Sequence, residues 1–243
     1  MRIRAILNES FTDVLEVDNV VTKIRWLAHA SFQISAAGKV IYVDPRYMKS
    51  FKSEIGQYFE NPDEADIILI THNHADHCYP SSFKKMLTSN TKILAPELCS
   101  KKLGNNFGGI KAGEEIVIDE IRVKAVDAYN IKRRRASGKL WHVNGEGVGY
   151  LITIDEKTIY HAGDTEFIPE MENLGNVDVA LLPIDGTFTM NIDEAVAAAK
   201  TIAPQVVIPM HNRDADLEEF KVKCEASTDT KVVPLKIGGT YQL

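Results

Sequence analysis

The first forty-odd residues carry three short, β-rich apolar stretches, "VTKIRWLA", "SFQISAA" and "KVIYVD", separated by polar or glycine breaks. Stretches of this length and spacing predict strands in a meander. "ADIILI" is continuously apolar, too short for a helix and bounded by breakers, which predicts a buried strand. The strand signal returns in "TKILA", in the pair "EEIVID" and "EIRVKAVDAYN", and in the hairpin-like pair "GVGYLITID" and "KTIYHAGD". It returns again in the apolar runs "VDVALLPI" and "QVVIPM". Helical patterns appear in "PSSFKKMLTSN", in the short "PELCSKKLG" and in "DADLEEFKVKCEA". The clearest helix is "NIDEAVAAAKTI", with Asn191 as its N-cap and an alanine-rich body. "TKVVPLKIGGTYQL" closes the chain. No repeat or long linker interrupts the alternation. It predicts two sheets with helices outside, sharing one core, so residues 1–243 are expected to form a single α+β domain.

Composition narrows the function. Apolar residues make up 44% of the chain, enough for a substantial core. The 28 basic and 34 acidic residues leave a net charge of −6, which argues against nucleic-acid binding through a broad basic surface. No stretch reaches membrane-spanning length, and the opening "MRIRAILNES" has no long apolar core behind its charges. Cys78, Cys99 and Cys224 are odd in number and lack CxxC spacing, so they read as reduced thiols in a cytoplasmic protein.

The chemistry concentrates in "THNHADH", Thr71 to His77, where three of the seven histidines follow the strand "ADIILI". His72 and His74, two residues apart on a turn leaving a strand, can direct both imidazoles to one side and share an ion. Asp76 and His77 can serve a second ion, since paired hydrolytic metals lie roughly 3.5–4 Å apart. Further ligands must come from distant sequence. Asp164 in "YHAGDT" and His211 in "VVIPMHN" each follow an apolar strand and precede a break, as His72 does.

These motifs resemble the metallo-β-lactamase superfamily: "THNHADH" matches its HxHxDH signature, and "HAGDT" and "IPMH" are similar to its later aspartate and histidine motifs. "WLAHASF", "IYVDP" and "FTMNIDEAVAAAK" resemble its ascorbate-6-phosphate-lactonase-like branch of small metal-dependent hydrolases. The resemblance runs from about Ile24 to the end. It implies a four-layer αββα sandwich, with His72 and His74 on a first metal, Asp76, His77 and His211 on a second, and Asp164 bridging. It also implies a third first-site histidine between HxHxDH and the bridging aspartate. There the strand end reads "VDAYN", placing Tyr129 or Asn130 at the expected position, and His142 is the interval's sole histidine. Ala28 and Asp185 stand where relatives commonly carry glycine.

His29, His161 and Asp44 flank these motifs and are expected to orient ligands through hydrogen bonds. Cys78 reads as a packed thiol. "IKRRRASGK" places Arg133, Arg134 and Arg135 beside the third-ligand region, either as a solvated face or as an anion grip.

The expectation is a hydrolase that uses one or two divalent ions, zinc foremost with manganese or iron as alternatives, to activate water. Asp76 or Asp164 would move the proton. The expected substrate is small and anionic, with a lactone or ester bond; a homo-oligomer is compatible with the sequence. The rivals are a phosphodiesterase or nuclease-like hydrolase of the same fold and a degenerate metal-binding module. A diiron redox enzyme is disfavoured, because it would be expected to carry glutamate where His74 stands.

Overall fold

The computed structural model describes residues 21–243, so the reading of "MRIRAILNES" lies outside the described residues. Strands β1 (Lys23–Trp26), β2 (Phe32–Ala36) and β3 (Lys39–Val43) form the expected antiparallel meander. The chain crosses through helix α1 (Lys52–Glu60) to β4 (Ile67–Leu69), parallel to β3. Short helical turns α2 (Pro80–Phe83) and α3 (Ser100–Leu103) flank β5 (Lys92–Ala95), and β6 (Gly108–Gly109) extends the parallel run.

The second half opens with antiparallel β7 (Glu115–Ile118), β8 (Ile121–Asp127), β9 (Val148–Ile154) and β10 (Lys157–His161). It continues in parallel through β11 (Val179–Pro183), β12 (Val206–Met210) and β13 (Lys231–Val232). Helix α4 (Ile192–Ile202) joins β11 to β12, α5 (Leu217–Ser227) joins β12 to β13, and β14 (Thr240–Gln242) returns to pair with β1. Two seven-stranded sheets result, ordered β14-β1-β2-β3-β4-β5-β6 and β13-β12-β11-β10-β9-β8-β7.

The period-two geometry of strands sorts the core into layers. Ile41 and Val43 of β3 and Ile67 and Leu69 of β4 pack with Ile152, Leu181 and Ile208 of the other sheet. Tyr42, Ile68 and Ile70, on the opposite face, pack with Phe59, Phe83 and Met86 beneath the first half's helices. Ala195, Ala198, Ala199 and Ile202 of α4 cover the second sheet's outer side. This is the four-layer αββα sandwich, and each fully buried branched side chain contributes roughly 1.5–3 kcal/mol to it.

Helix α4 starts as expected: Asn191 Oδ1 accepts from Glu194 N and the Glu194 carboxylate accepts from Asn191 N, a reciprocal cap worth about 1 kcal/mol. The helix expected from "PSSFKKMLTSN" is shorter than its pattern. It ends at Met86, where the Thr88 and Thr91 hydroxyls bond nearby backbone and offer an alternative to helix. Helix α1 carries only a thin buried stripe of Ile55, Gly56 and Phe59, and so had no clear periodic signal. Among the described residues, no helix is long and apolar enough to cross a membrane.

Candidate metal centre

Loops from neighbouring strand ends converge. The loop after β4 carries His72, His74, Asp76 and His77; that after β8 carries Asn130 and His142; Asp164 follows β10, and His211 follows β12. Asp164 lies at the middle. Its Oδ2 is 3.2 Å from His142 Nε2, 3.4 Å from His211 Nε2 and 3.9 Å from His72 Nε2, and its Oδ1 is 3.4 Å from His77 Nε2. All five residues are buried.

The far nitrogen of each ring explains why Nε2 faces inward. His142 Nδ1 donates to Asn130 Oδ1 at 2.7 Å, and His77 Nδ1 donates to Asp44 Oδ2 at 2.7 Å. His211 Nδ1 lies 3.0 Å from Asp185 Oδ2. His72 Nδ1 lies 3.0 Å from Thr71 Oγ1, whose own proton goes to Asp44 Oδ2 at 2.6 Å. An acceptor at Nδ1 keeps the ring proton there and leaves the Nε2 lone pair free for a ligand. His74 is wired the other way round, with Nδ1 3.0 Å from His72 Nε2 and Nε2 2.8 Å from the Arg135 guanidinium.

Two donor groups emerge, each with ligand atoms within 4.8 Å of one another: His72, His74 and His142, and His29, Asp76, His77 and His211. His77 Nε2 and Asp164 Oδ1 are buried without a hydrogen-bond partner. Two such atoms buried together are costly unless something satisfies both. Imidazole and carboxylate donors fit a divalent cation there.

Charge sets the protonation of the metal-free site. Burial would raise the Asp164 pKa, but the His211 and His77 charges outweigh it and hold the carboxyl well below its usual range. Burial opposes protonation of His77 and His211, yet Asp164 prevails, helped by Asp44 at His77 and Asp185 at His211, so both are raised, His211 to about 9. Burial pushes His72 and His74 down, His74 to about 4.

The backbone is bent to make this arrangement. Ala28, His29, Asp44 and His211 all have positive φ, at 80°, 53°, 45° and 44°, in a region that non-glycine residues enter at a cost. Gly163, one residue before Asp164, has φ +64°, and a Cβ there would stand 2.7 Å from the Val148 carbonyl oxygen. Only glycine fits that turn.

His29 Nε2 lies 3.3 Å from Asp76 Oδ2, and its ring centroid is 3.8 Å from that of His211, so the residue expected to orient ligands sits among the donors themselves. His161 donates from Nε2 to Ala30 O and accepts at Nδ1 from Gly163 N, bracing the turn before Asp164. Asp44 accepts from Thr71 N and Thr71 Oγ1 as well as from His77. Cys78 is buried.

Of the three residues proposed to complete the first donor group, His142 reaches it. Tyr129 turns its hydroxyl to Glu170, 3.0 Å away. Asn130 instead holds His142, through both its ring and its backbone N–H. Of Arg133, Arg134 and Arg135, expected as a solvated face or an anion grip, only Arg135 reaches the donor groups, at His74 Nε2. Arg133 is committed to Glu166 at 2.9 Å and Glu194 at 2.7 Å, while Arg134 donates to Gly138 O on the exposed side of the loop.

Sequence reasoning missed four contributors. Glu166, buried, accepts from the backbone N–H groups of Ile131, Lys132 and Arg133 at 2.7 Å each and so shapes the loop that carries His142. Arg213, Trp141 and Phe188 line a cavity of about 510 Å³ over the donors, together with Arg135. Arg135 lies over Trp141, Arg213 over Phe188, and the two rings meet edge to face at 4.7 Å. Asp185, noted only as a departure from glycine, holds His211. A polar residue closing the buried run "ALLPI" was its signal, as at His72 and His211.

A family model for the Beta-lactamase superfamily domain matches residues 23–211. The UPF0173 metal-dependent hydrolase of Methanosarcina mazei is 33% identical over 231 residues, covering 91% of this chain and 98% of that protein. That of Thermoplasma acidophilum is 36% identical over 211 residues, covering 82% and 89%. Among solved structures, Igni18, a novel metallo hydrolase from Ignicoccus hospitalis, superposes with a TM-score of 0.74 at 28% identity, covering 92% of this chain and 98% of its own. The match spans the sheets and loops that bear the donor groups, and the chain belongs to the metallo-β-lactamase superfamily as one of the UPF0173 metal-dependent hydrolases.

Proposed function

We propose that the chain hydrolyses a lactone or ester bond in a small anionic substrate, such as a phosphorylated sugar, using one or two zinc ions. His72, His74 and His142 would hold one ion and Asp76, His77 and His211 the other, with Asp164 between them. The observation that carries this reading is the convergence of four Nε2 atoms on Asp164, with the His77 and His142 rings held by an acceptor at their other nitrogen. When bound, the ions polarise the scissile carbonyl and make water acidic enough to ionise near pH 7. The same donors accept manganese or iron.

The protein groups handle protons and orientation. Asp164 is enclosed by imidazoles, whereas Asp76 is half-exposed, with its side chain 53% accessible at the cavity wall. Asp76 therefore takes the proton from the attacking water and returns it to the leaving oxygen. Burial would raise the Asp76 pKa, but the neighbouring His29 and the His77 charge hold it below the usual range, so it gives the proton up readily to an alkoxide. Arg135 and Arg213 stand where they can pair with the substrate's anionic group. The three buried free thiols suit a reducing cytoplasm.

The test joins metal content to turnover. The purified chain should carry one to two zinc ions by elemental analysis, and should hydrolyse phosphorylated sugar lactones faster than neutral esters of the same acyl size. Metal at trace level with no uptake on titration would overturn the hydrolase reading; equal rates on both substrate types would overturn the anionic one.

A further inference from the structure

Asp76 lines two cavities. The first is the 510 Å³ mouth that holds Arg135 and Arg213. The second is about 620 Å³, and Met48 and Asp76 line both. Each is of a size that holds a small ligand or a large part of one. They share the wall formed by the residue that would handle the proton, so a molecule reaching both would pass the donor groups.

The second cavity carries more positive than negative charge, three cationic side chains against Asp76 and Glu60. Arg46, Lys49 and Lys85 line it, and among the described residues none is within ion-pair distance of a carboxylate. Glu60, the other acid in the wall, pairs with Lys52 at 3.7 Å. Lys85 Nζ donates instead to the Glu60 backbone carbonyl at 2.9 Å. The Arg46 guanidinium donates to Tyr47 O at 2.8 Å and lies 4.1 Å over the Tyr79 ring, so it is held in place rather than free in solvent. Three like charges around one concavity, in a chain of net charge −6, repel one another and attract a small anion. Phe59 and Tyr79 add flat apolar surface beside them.

We propose that this cavity is a second subsite, which receives an acidic group, a phosphate or carboxylate, carried on a part of the substrate remote from the scissile bond. The inference rests on the reading of the site as a hydrolase of anionic substrates, and extends it to substrates bearing an acid on the far side of the bond from Arg135 and Arg213. Arg46 supplies the fixed fork, Lys49 and Lys85 supply adjustable charges, and the tyrosine and phenylalanine faces receive the ring or chain that carries the acid.

Phenylphosphonate, which pairs a flat ring with an acid and cannot be hydrolysed, is a suitable probe. Its binding to the metal-loaded full chain is measured by titration calorimetry for wild type, for Lys49→Ser with Lys85→Ser, and for Arg135→Ser with Arg213→Ser. Affinity should fall about tenfold in the lysine pair and little in the arginine pair, as loss of two partly exposed charge contacts implies. A loss confined to the arginine pair would put the acid in the mouth and overturn the second subsite. A loss only when metal is stripped would put it on the ions, with the same consequence. Both lysines are exposed, so folding is not at issue, and Lys49→Glu should weaken binding further than Lys49→Ser. Zinc content of each variant, read alongside, keeps failure of this inference separate from failure of the metal-hydrolase reading.

Discussion

Asn130 Oδ1 accepts two hydrogen bonds from one residue, the backbone N–H and the ring Nδ1–H of His142, both at 2.7 Å. Its amide Nδ2 donates to Phe188 O at 2.8 Å, so Asn130 is itself fixed. The asparagine at the strand end therefore sets the tautomer and the direction of a histidine twelve residues later. Asn130→Ala should weaken metal binding at the first donor group about 10–100-fold, as expected when the partner of a ligating histidine is removed. His142→Ala should weaken it at least as much, and the double variant little more than His142→Ala, because the two act as one unit. Competition with a chromophoric chelator measures all three. Additive losses would mean that Asn130 acts by another route.

The arginine run divides between Arg133, tied to Glu166 and Glu194, and Arg135, which lines the cavity and on the proposed reading binds the substrate's anion. The Arg133 side chain is only 15% exposed between Glu166 and Glu194, and Arg133→Ser would leave Glu166 buried with a charge less well matched. Stability should drop by about 1–3 kcal/mol, seen as a lower Tm, with KM little altered. Arg135→Ser with Arg213→Ser should leave Tm near wild type and raise KM for an anionic substrate on the order of tenfold, with a smaller effect on kcat. A rise in KM from Arg133→Ser alone, at unchanged Tm, would reverse these assignments.

What the sequence made legible follows from local chemistry. β4 could be read because "ADIILI" is apolar throughout, and α4 because Asn191 and Glu194 sit three apart before an alanine-rich stripe. The donor residues were visible because each stands at the polar end of an apolar strand. His142 was named but not placed, since what carries it inward is Asn130 and the Glu166-capped turn, contacts made across twelve and more than thirty residues. Arg213 and Phe188 gave no signal at all: a guanidinium on a ring is assembled only when the loops after β11 and β12 come together. For the same reason three adjacent arginines looked alike in the sequence, although the fold sends them to three different partners.

Ala28 offers a direct test of backbone strain. It sits at φ 80°, beside His29 at φ 53°, in a turn closed by Ser31 N donating to Ala28 O at 2.9 Å. A Cβ disfavours this conformation by roughly 1–2 kcal/mol, and glycine removes that penalty while adding freedom to the unfolded chain. Ala28→Gly should therefore raise stability by up to about 1 kcal/mol, read by chemical denaturation of the metal-free chain. A loss of stability would show that packing of the buried Ala28 methyl outweighs the strain.

Metal binding should compete with protons at His211 and His77. In the metal-free chain Asp164 lifts both above the usual histidine value, His211 to about 9, so at pH 7 each carries a proton on the ring that a cation must displace. Affinity at the second donor group should therefore rise with pH by up to about tenfold per unit for each proton released, and level off above pH 9 for His211. Stability of the metal-free chain runs the other way. A histidine whose folded pKa is raised contributes stability that is complete below its ordinary value of 6.5 and is lost as pH rises through about 9. Asp164, with its folded pKa depressed, contributes above its ordinary value of 3.8 and loses this as pH falls further. The metal-free chain should thus gain most from these groups between about pH 4 and 6.5, and the metal-loaded chain on the alkaline side of that window. Tm measured across pH with and without chelator tests the divergence, and calorimetry in buffers of different protonation enthalpy counts the protons. Zinc uptake with no proton release at pH 7 would mean that His77 and His211 are already neutral and that the charge on Asp164 is balanced in some other way.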